Sequence, residues 1–412
     1  MLFLYNLGIH LYILFVWIAS VRNKKAKQWL DGRKNIFDTI SKSIDHQKKY
    51  TWFHFASLGE FEQGRPVIEQ MKKERNDCSI VITFFSPSGY EVRKNYHLAD
   101  HVFYLPADIR SNTQRFIKLL NPDLAVFTKY EYWYHYFEEL HQQQIPLFII
   151  SGIFRKEQIF FKWYGSLHRK MLRRVSHFFV QNEQSKSLLS DLGVRNVTVS
   201  GDTRFDRVHF NAGHPINLPE IEDFCRGKKV FIAGSTWVDD EKLINTIISQ
   251  YPEWKFIIAP HEVKEERIQD IEKQFNNSVK YSDYKNLKSN KDDKQTLIID
   301  SIGILSSIYR YGDISYIGGG FGVGIHNTLE AAAFGIPVLF GPNYLRFMEA
   351  VQLIDEGAAF SVKNNQEISL IMNDLQNNEF RTNCGTKAKQ YVNRNTGASR
   401  IFLDYLKKSA LI

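Results

Sequence analysis

The chain reads as an α/β protein made of two Rossmann-like, doubly wound halves. Short apolar runs alternate with stretches of helical length, the pattern of a parallel sheet with crossover helices. At 412 residues it is too long for one ordinary core and fits two domains. Residues Ile314 to Pro342 read as strand, glycine turn, helix, strand, the form that puts a ligand at the carboxyl end of a strand in such sheets.

The first element is an apolar segment. Leu2 to Val21 contain no Asp, Glu, Lys or Arg, and twenty helical residues reach about 30 Å, the thickness of a bilayer core. Arg22, Lys24, Lys25, Lys27, Arg33 and Lys34 follow at once, which by the positive-inside rule holds the rest of the chain on the cytoplasmic side. A cleaved signal peptide fits less well, because the cations lie on the wrong flank. Asn6 and His10 interrupt the run and leave an interfacial helix as the alternative. Residues 1–21 are therefore expected to form a membrane anchor.

Residues 22–208 form the N-terminal Rossmann-like domain. Its strands are expected at Thr51–His54, Ser79–Phe84, His101–Tyr104, Leu124–Thr128, Leu147–Ser151, His177–Val180 and Val197–Ser200. Gly213, Pro215 and Pro219 mark 209–227 as a linker. In the C-terminal domain, 228–412, strands are expected at Lys229–Ala233, Lys255–Ile258, Thr296–Ile299, Ile314–Ile317 and Pro337–Phe340. The polar, lysine-rich stretch 276–294 reads as a solvated excursion. The final helix is expected to pack back on the N-terminal domain.

Composition narrows the function classes. A net charge of +8 calls for an acidic partner: nucleic acid, an anionic membrane or a phosphorylated substrate. Cys78, Cys225 and Cys384 are widely separated, against disulfides and a zinc site and in favour of a reducing compartment. The sequence has no Gly-x-x-x-x-Gly-Lys-Ser/Thr loop, no His-Glu-x-x-His, no Gly-x-Ser-x-Gly and no Asp-x-Asp. A metal-independent site without a cofactor is expected, its leaving group neutralised by helix ends and cations.

The candidate site residues sit at strand ends. Ser57-Leu58-Gly59-Glu60 follows the first strand, and Glu60 there is the best candidate for a general base; a capping box of Ser57 and Glu60 is the structural alternative. Ser86-Pro87-Ser88-Gly89 offers hydroxyls for a sugar or phosphate, or simply a turn. Lys129-Tyr130-Glu131-Tyr132-Trp133 combines a cation, a carboxylate and aromatic faces suited to a charged sugar. A Lys129–Glu131 surface pair among packed aromatics is the plainer reading.

In the second half, the hydroxyls of Ser235 and Thr236 could meet a phosphate. Pro260-His261, near Lys264 and Arg267, supplies donors for a nucleotide. Asp300-Ser301-Ile302-Gly303 closes another strand. Gly318 to Gly324 let the backbone approach a ligand, and Asn327 then opens a helix whose N–H groups favour an anion. Asn327-Thr328-Leu329-Glu330 reads equally as an N-cap box.

Taken in order, the anchor, His54-Phe55-Ala56-Ser57-Leu58-Gly59-Glu60, Ser86-Pro87-Ser88-Gly89, Pro106-Ala107-Asp108, Tyr130-Glu131-Tyr132-Trp133, Gly201-Asp202-Thr203-Arg204-Phe205-Asp206, Ala233-Gly234-Ser235-Thr236, Pro260-His261 and His326-Asn327-Thr328-Leu329-Glu330 resemble the 3-deoxy-D-manno-octulosonic acid (Kdo) transferases of lipopolysaccharide synthesis. The resemblance covers nearly the whole chain. It implies a GT-B glycosyltransferase with an acceptor-binding N-terminal domain and a CMP-sugar-binding C-terminal domain facing a cleft. The implied reaction moves Kdo, with inversion, from CMP-Kdo to lipid IVA or another acylated lipid A precursor, in contact with inner-membrane lipid on the cytoplasmic side.

By the same resemblance, Glu60 is the general base. Pro260, His261, Ile302, Gly303, Ile304, Asn327, Thr328, Leu329 and Glu330 match the CMP-binding positions. Ser57, Gly59, Ser86, Ser88, Lys129, Glu131, Ser235, Thr236, Gly324 and His326 are further candidate contacts.

Three departures touch donor recognition. The family's usual Pro-Arg-His is Pro260-His261 here, and Lys264 or Arg267 is the candidate replacement for the missing cation. Its Gly-Glu-Leu is Gly303-Ile304-Leu305, and its Gly-Gly-His-Asn is Gly324-Ile325-His326-Asn327. A UDP-sugar-dependent GT-B glycosyltransferase or epimerase is the alternative enzyme. A non-catalytic basic protein binding membrane or nucleic acid is the alternative of another class; scattered lysines speak against nucleic acid.

Overall fold

A computed structural model describes residues 1–129, 131–287 and 293–412. Tyr130 and part of the 276–294 stretch lie outside the described residues. The chain forms two compact units, Met1–Arg207 with Thr396–Ile412, and Val208–Asn395.

The first unit holds seven parallel strands: β1 (Tyr50–Phe55), β2 (Ser79–Phe84), β3 (His101–Tyr104), β4 (Pro122–Thr128), β5 (Leu147–Gly152), β6 (His177–Val180) and β7 (Val197–Val199). Their order is β3-β2-β1-β4-β5-β6-β7, so the chain winds outward in both directions from the β1/β4 pair. Every residue of β1 is buried, because helices cover both faces of a parallel sheet. Alternation along the strand divides its side chains: Tyr50 and Trp52 join the core on one face, Phe53 and Phe55 the core on the other.

Four helices frame the N-terminal part: α1 (Leu2–Ala19), α2 (Lys24–Asp31), α3 (Ile36–Ser43) and α4 (Leu58–Glu74). Helix α4 lies so close to β1 that a Cβ on Gly64 would collide with the Phe55 ring. Asn23 starts α2 by accepting the N–H groups of Lys25 and Ala26. Arg33 does not belong with the open cations after the anchor. Its guanidinium lies 3.8 Å over the Trp29 ring and donates to the carbonyls of Trp29, Phe85 and Leu105; burial pushes its pKa down to about 9.

The last helix, Ala398–Lys408, completes this unit. Phe402 packs edge-on against Phe148 and Phe179, with ring centroids 5.8 and 5.1 Å apart. Asp206 fixes its start by accepting the N–H groups of Gly397 at 2.5 Å and Ser399 at 2.7 Å. Asp202 in the same motif binds Arg204, and Thr203 meets Ser151 at 2.8 Å. In these contacts Gly201-Asp202-Thr203-Arg204-Phe205-Asp206 ties elements of the unit to one another.

The second unit repeats the plan with β8 (Val230–Thr236), β9 (Lys255–Pro260), β10 (Ser278–Lys280), β11 (Thr296–Ile298), β12 (Ile314–Ile317), β13 (Val338–Phe340) and β14 (Ala359–Ser361). The order is β10-β11-β9-β8-β12-β13-β14, again parallel throughout, with β8 and β12 at the reversal. The sheet edges β10 and β14 were not expected from sequence, and β10 falls inside the stretch read as a solvated excursion. Residues 209–227 are not simply a linker: they hold the end of helix Thr203–Gly213 and all of helix Pro219–Cys225. Ile221 and Phe224 of the latter are buried. Pro219 opens that helix, where no N–H is needed, rather than breaking one.

The Asp206 contacts give a stability prediction. Asp206→Ala strands two helix N–H groups and should cost about 1–2 kcal/mol. Thermal melts should show a lower midpoint, and limited proteolysis should cleave earlier just ahead of the final helix.

Candidate active site

In a doubly wound sheet, ligands bind at the carboxyl ends of the strands where the order reverses. In the first unit these are the ends of β1 and β4. The turn after β1 leads through Ala56 and Ser57 into α4, whose first turn carries Glu60. Ser57 is the N-cap residue, yet its side chain caps no backbone N–H; its hydroxyl donates to the Glu60 carboxylate. This is not the reciprocal capping box that is the alternative in sequence. Gly59 is exposed and Glu60 half-buried.

The turn after β4 is strained. Lys129 takes φ +54°, a left-handed conformation costing a non-glycine residue about 1–2 kcal/mol. It directs the chain to Glu131, which accepts from Trp133 Nε1 at 2.9 Å and contacts His54 Nε2 at 3.2 Å. His54 is fully buried on β1. Its Nδ1 lies 2.9 Å from Thr83 Oγ1, which also accepts from Trp52 Nε1 at 2.8 Å. A carboxylate only accepts, so Nε2 carries a proton toward Glu131.

The plainer reading, in which Glu131 is a surface residue amid packing, therefore gives way to a carboxylate held from below. Trp133 also stacks on Phe85 at 4.9 Å, linking the turns after β4 and β2. Ser86, after β2, is the N-cap of a helix, Pro87–Arg93, and meets Ser88 in its first turn at 2.8 Å, so this segment is a helix start rather than a plain turn.

The second unit has its reversal at β8 and β12. Ser235, near the end of β8, takes φ +55°, a second non-glycine residue in the left-handed region at a strand reversal. Glycine is required opposite it: a Cβ on Gly318 would sit 2.6 Å from Thr236 Cα, and one on Gly320 2.6 Å from Gly341 Cα. Asp240 gathers the two turns. It is buried, accepts the N–H groups of Trp237 and Gly319 at 2.9 and 2.8 Å, and accepts the Tyr316 hydroxyl at 2.8 Å. Burial raises its pKa against the opposing pull of those donors.

Above this frame three flat rings cluster, with Trp237 and His326 edge to edge against His261. His261 stacks on Trp237 with centroids 4.9 Å apart and on His326 at 4.4 Å. Trp237 Nε1 donates to His326 Nε2 at 3.1 Å, which requires that nitrogen to be unprotonated. Burial, and secondarily the neighbouring His261, pushes the His326 pKa down to about 4. Trp237, directly after the Ser-Thr strand end, was not among the residues singled out by sequence.

Several expected contacts turn out differently. Thr236 is buried and its hydroxyl donates to Glu241 at 2.8 Å, so it does not meet a phosphate. Arg267 binds the same Glu241 and Lys264 pairs with Glu262 at 3.0 Å; neither stands in for the missing arginine in this arrangement. Asn327 accepts Leu329 N–H and donates to Glu330, each at 3.1 Å, ahead of a helix only five residues long. The N-cap of that helix is Thr328, with no side-chain cap, so the reciprocal box of Asn327 and Glu330 is not formed.

Pro260 and Leu329 are buried, while Ile302 is 84% exposed beside Gly303 at φ +95°. Ile304 precedes the short helix Leu305–Ile308. Gly324, at φ +131°, leaves no room for a Cβ against Phe347. Thr328 Oγ1 and Ser301 Oγ are buried without a hydrogen-bond partner.

Comparison with known proteins gives a consistent relationship. Residues 31–207 match the family model described as 3-deoxy-D-manno-octulosonic-acid transferase (kdotransferase). The chain is 24% identical to the 3-deoxy-D-manno-octulosonic acid transferase of Haemophilus influenzae over 426 aligned positions, covering 96% of this chain and 95% of that protein. It is 24% identical to the bifunctional glycosyltransferase/methyltransferase of Fusobacterium nucleatum over 377, covering 89% of this chain but only 58% of that relative's length. The solved UDP-GlcNAc 2-epimerase of Neisseria meningitidis, bound to UDP-GlcNAc, superposes with a TM-score of 0.62 at 16% identity over 87% of this chain and 100% of that one. This last likeness is one of fold.

The ring cluster makes a pH prediction. An unfolded histidine titrates near 6.5 and His326 in place near 4, so its contribution to stability is complete above pH 6.5 and is lost as pH falls toward 4. Melting midpoints measured across that window should fall less steeply in His326→Gln than in the parent.

Proposed function

Because the chain is a homologue of the Kdo transferases, a glycosyltransferase with the GT-B type of fold, we propose that it transfers Kdo from CMP-Kdo to lipid IVA or a similar acylated lipid A precursor. The place of action is the cytoplasmic face of the inner membrane. The observation that carries the reading is the position of Glu60, half-buried at the strand reversal of the first unit with the Ser57 hydroxyl on its carboxylate.

In this mechanism Glu60 takes the proton from an acceptor sugar hydroxyl as its oxygen bonds to the anomeric carbon of Kdo. The bond from that carbon to the CMP phosphate oxygen breaks with its electron pair, and CMP leaves with inversion at the carbon. Glu131, fixed by His54 and Trp133, orients polar groups of the acceptor. The nucleotide belongs to the turns of the second unit. Ser235 and the loop from Gly318 approach its phosphate through backbone, and the Trp237, His261 and His326 rings offer their faces. The supporting facts are the family relationship and this placement of groups.

The test is transfer by the purified full chain in detergent, with freshly made CMP-Kdo and lipid IVA and the product mass read directly. Product heavier by one or more Kdo units is expected. Glu60→Gln should lose about 10²–10⁴-fold in rate, the usual range for a general base, while CMP still raises its melting temperature. Near-normal turnover by that variant would remove Glu60 from the mechanism. Absence of product from folded parent enzyme would favour a UDP-sugar donor.

A further inference from the structure

Helix α1 has the composition of a membrane span, eighteen residues of mean hydropathy 1.9 with none buried, and a length of about 27 Å at 1.5 Å per residue. A span holds its two ends on opposite sides of the bilayer, so residues near its far end cannot touch a folded body at its near end. In this structure α1 touches the first unit along its whole length. Near its start, Tyr5 donates to Asp108 at 2.5 Å and accepts Tyr134 N–H at 3.1 Å, while Asn6 Oδ1 meets His135 Nε2 at 2.7 Å. Midway, Tyr12 packs on Trp29 and Phe85 at 5.7 and 5.9 Å. Its other end turns directly into α2.

The contacts define one face. Tyr5, Asn6, Ile9, Ile13 and Val16 are half-buried, at the three- and four-residue spacing of a helix side. Leu4, Leu11 and Ile18, seven apart, lie on the opposite side and are 61, 42 and 55% exposed. The body beneath is the carboxyl edge of the sheet, since Phe85, Asp108 and Tyr134 follow β2, β3 and β4. The turn after β5 leaves the same edge and carries Arg155, Lys156, Lys162 and Trp163, the last 90% exposed. Arg22, Lys24, Lys25 and Lys27 flank the other end of α1. An apolar helix face bordered by lysines, arginines and an open tryptophan matches the layering of acyl chain and anionic headgroup in a bilayer surface.

We propose that α1 is an in-plane anchor: it stays docked on the first unit and buries its Leu4–Leu11–Ile18 face in one leaflet of an anionic membrane, without crossing it. The strand ends that carry Ser57, Glu60 and Glu131 are then held at headgroup level, where a lipid-linked sugar is found. The inference rests on the contacts of α1 and stands whatever sugar is transferred.

The test places a nitroxide label singly at Leu4→Cys, Leu11→Cys and Ile18→Cys in the full chain carrying Cys78→Ser; Cys225 and Cys384 are buried. Label depth is measured in vesicles of phosphatidylethanolamine and phosphatidylglycerol from collisions with oxygen and with a water-soluble nickel chelate. The expected result is three similar depths of about 5–10 Å below the phosphates. A profile with Leu11→Cys near the bilayer centre, about 15 Å deep, and shallow ends would show a span and overturn the proposal. Three labels fully open to the nickel chelate, or failure to bind the vesicles, would overturn it by showing that lipid does not cover this face.

Discussion

The reversal of strand order in each sheet is the constraint on which the rest depends. Where β1 and β4, or β8 and β12, lie side by side, their following turns must leave in opposite directions, and a crevice opens between them. Both crevices are held by a non-glycine residue in the left-handed region, Lys129 in one and Ser235 in the other. Each conformation costs about 1–2 kcal/mol and persists because the surroundings fix it. In the first unit the fixing group is the buried chain from Trp52 through Thr83 and His54 to Glu131; in the second it is the Asp240 carboxylate. A buried polar network of this kind is stabilising only when its members are satisfied, and the carboxylates of Glu131 and Asp240 each have their donors.

The sheets were largely legible in the sequence because strands buried on both faces read as continuous apolar runs. Their ends were less so, and the errors have consequences. Strand β8 runs to Thr236 rather than stopping at Ala233, and Thr236 turns inward to Glu241 instead of toward a ligand. The edge strands β10 and β14 are three residues each, too short to show a period. Pro219 looked like a breaker because proline gives the same letter at the first turn of a helix as in a loop.

Glu60 could be found from its place after a strand, but sequence spacing could not separate base from cap. The orientation of Ser57 in the structure removes the reciprocal box, and family relationship supplies the reason to propose a base. His54, Trp237 and Asp240 were hidden for another reason. Their partners Glu131, His326 and Gly319 lie 77, 89 and 79 positions away, and only the strand order brings them together. The apolar N-terminal segment shows the same limit: its composition is that of a span, whereas Asn6, read in sequence as an interruption, and Tyr5 are the residues that dock it.

The central claim is that the β8/β12 crevice holds a cytidine nucleotide. Hydrogen–deuterium exchange of the full chain, with and without CMP and with UDP as the comparison, tests it most directly. The account predicts that CMP slows exchange in Gly234–Trp237, Pro260–Lys264 and Gly318–Glu330, and that UDP does so much less. Protection of those turns by UDP and not by CMP, or by neither, would contradict it.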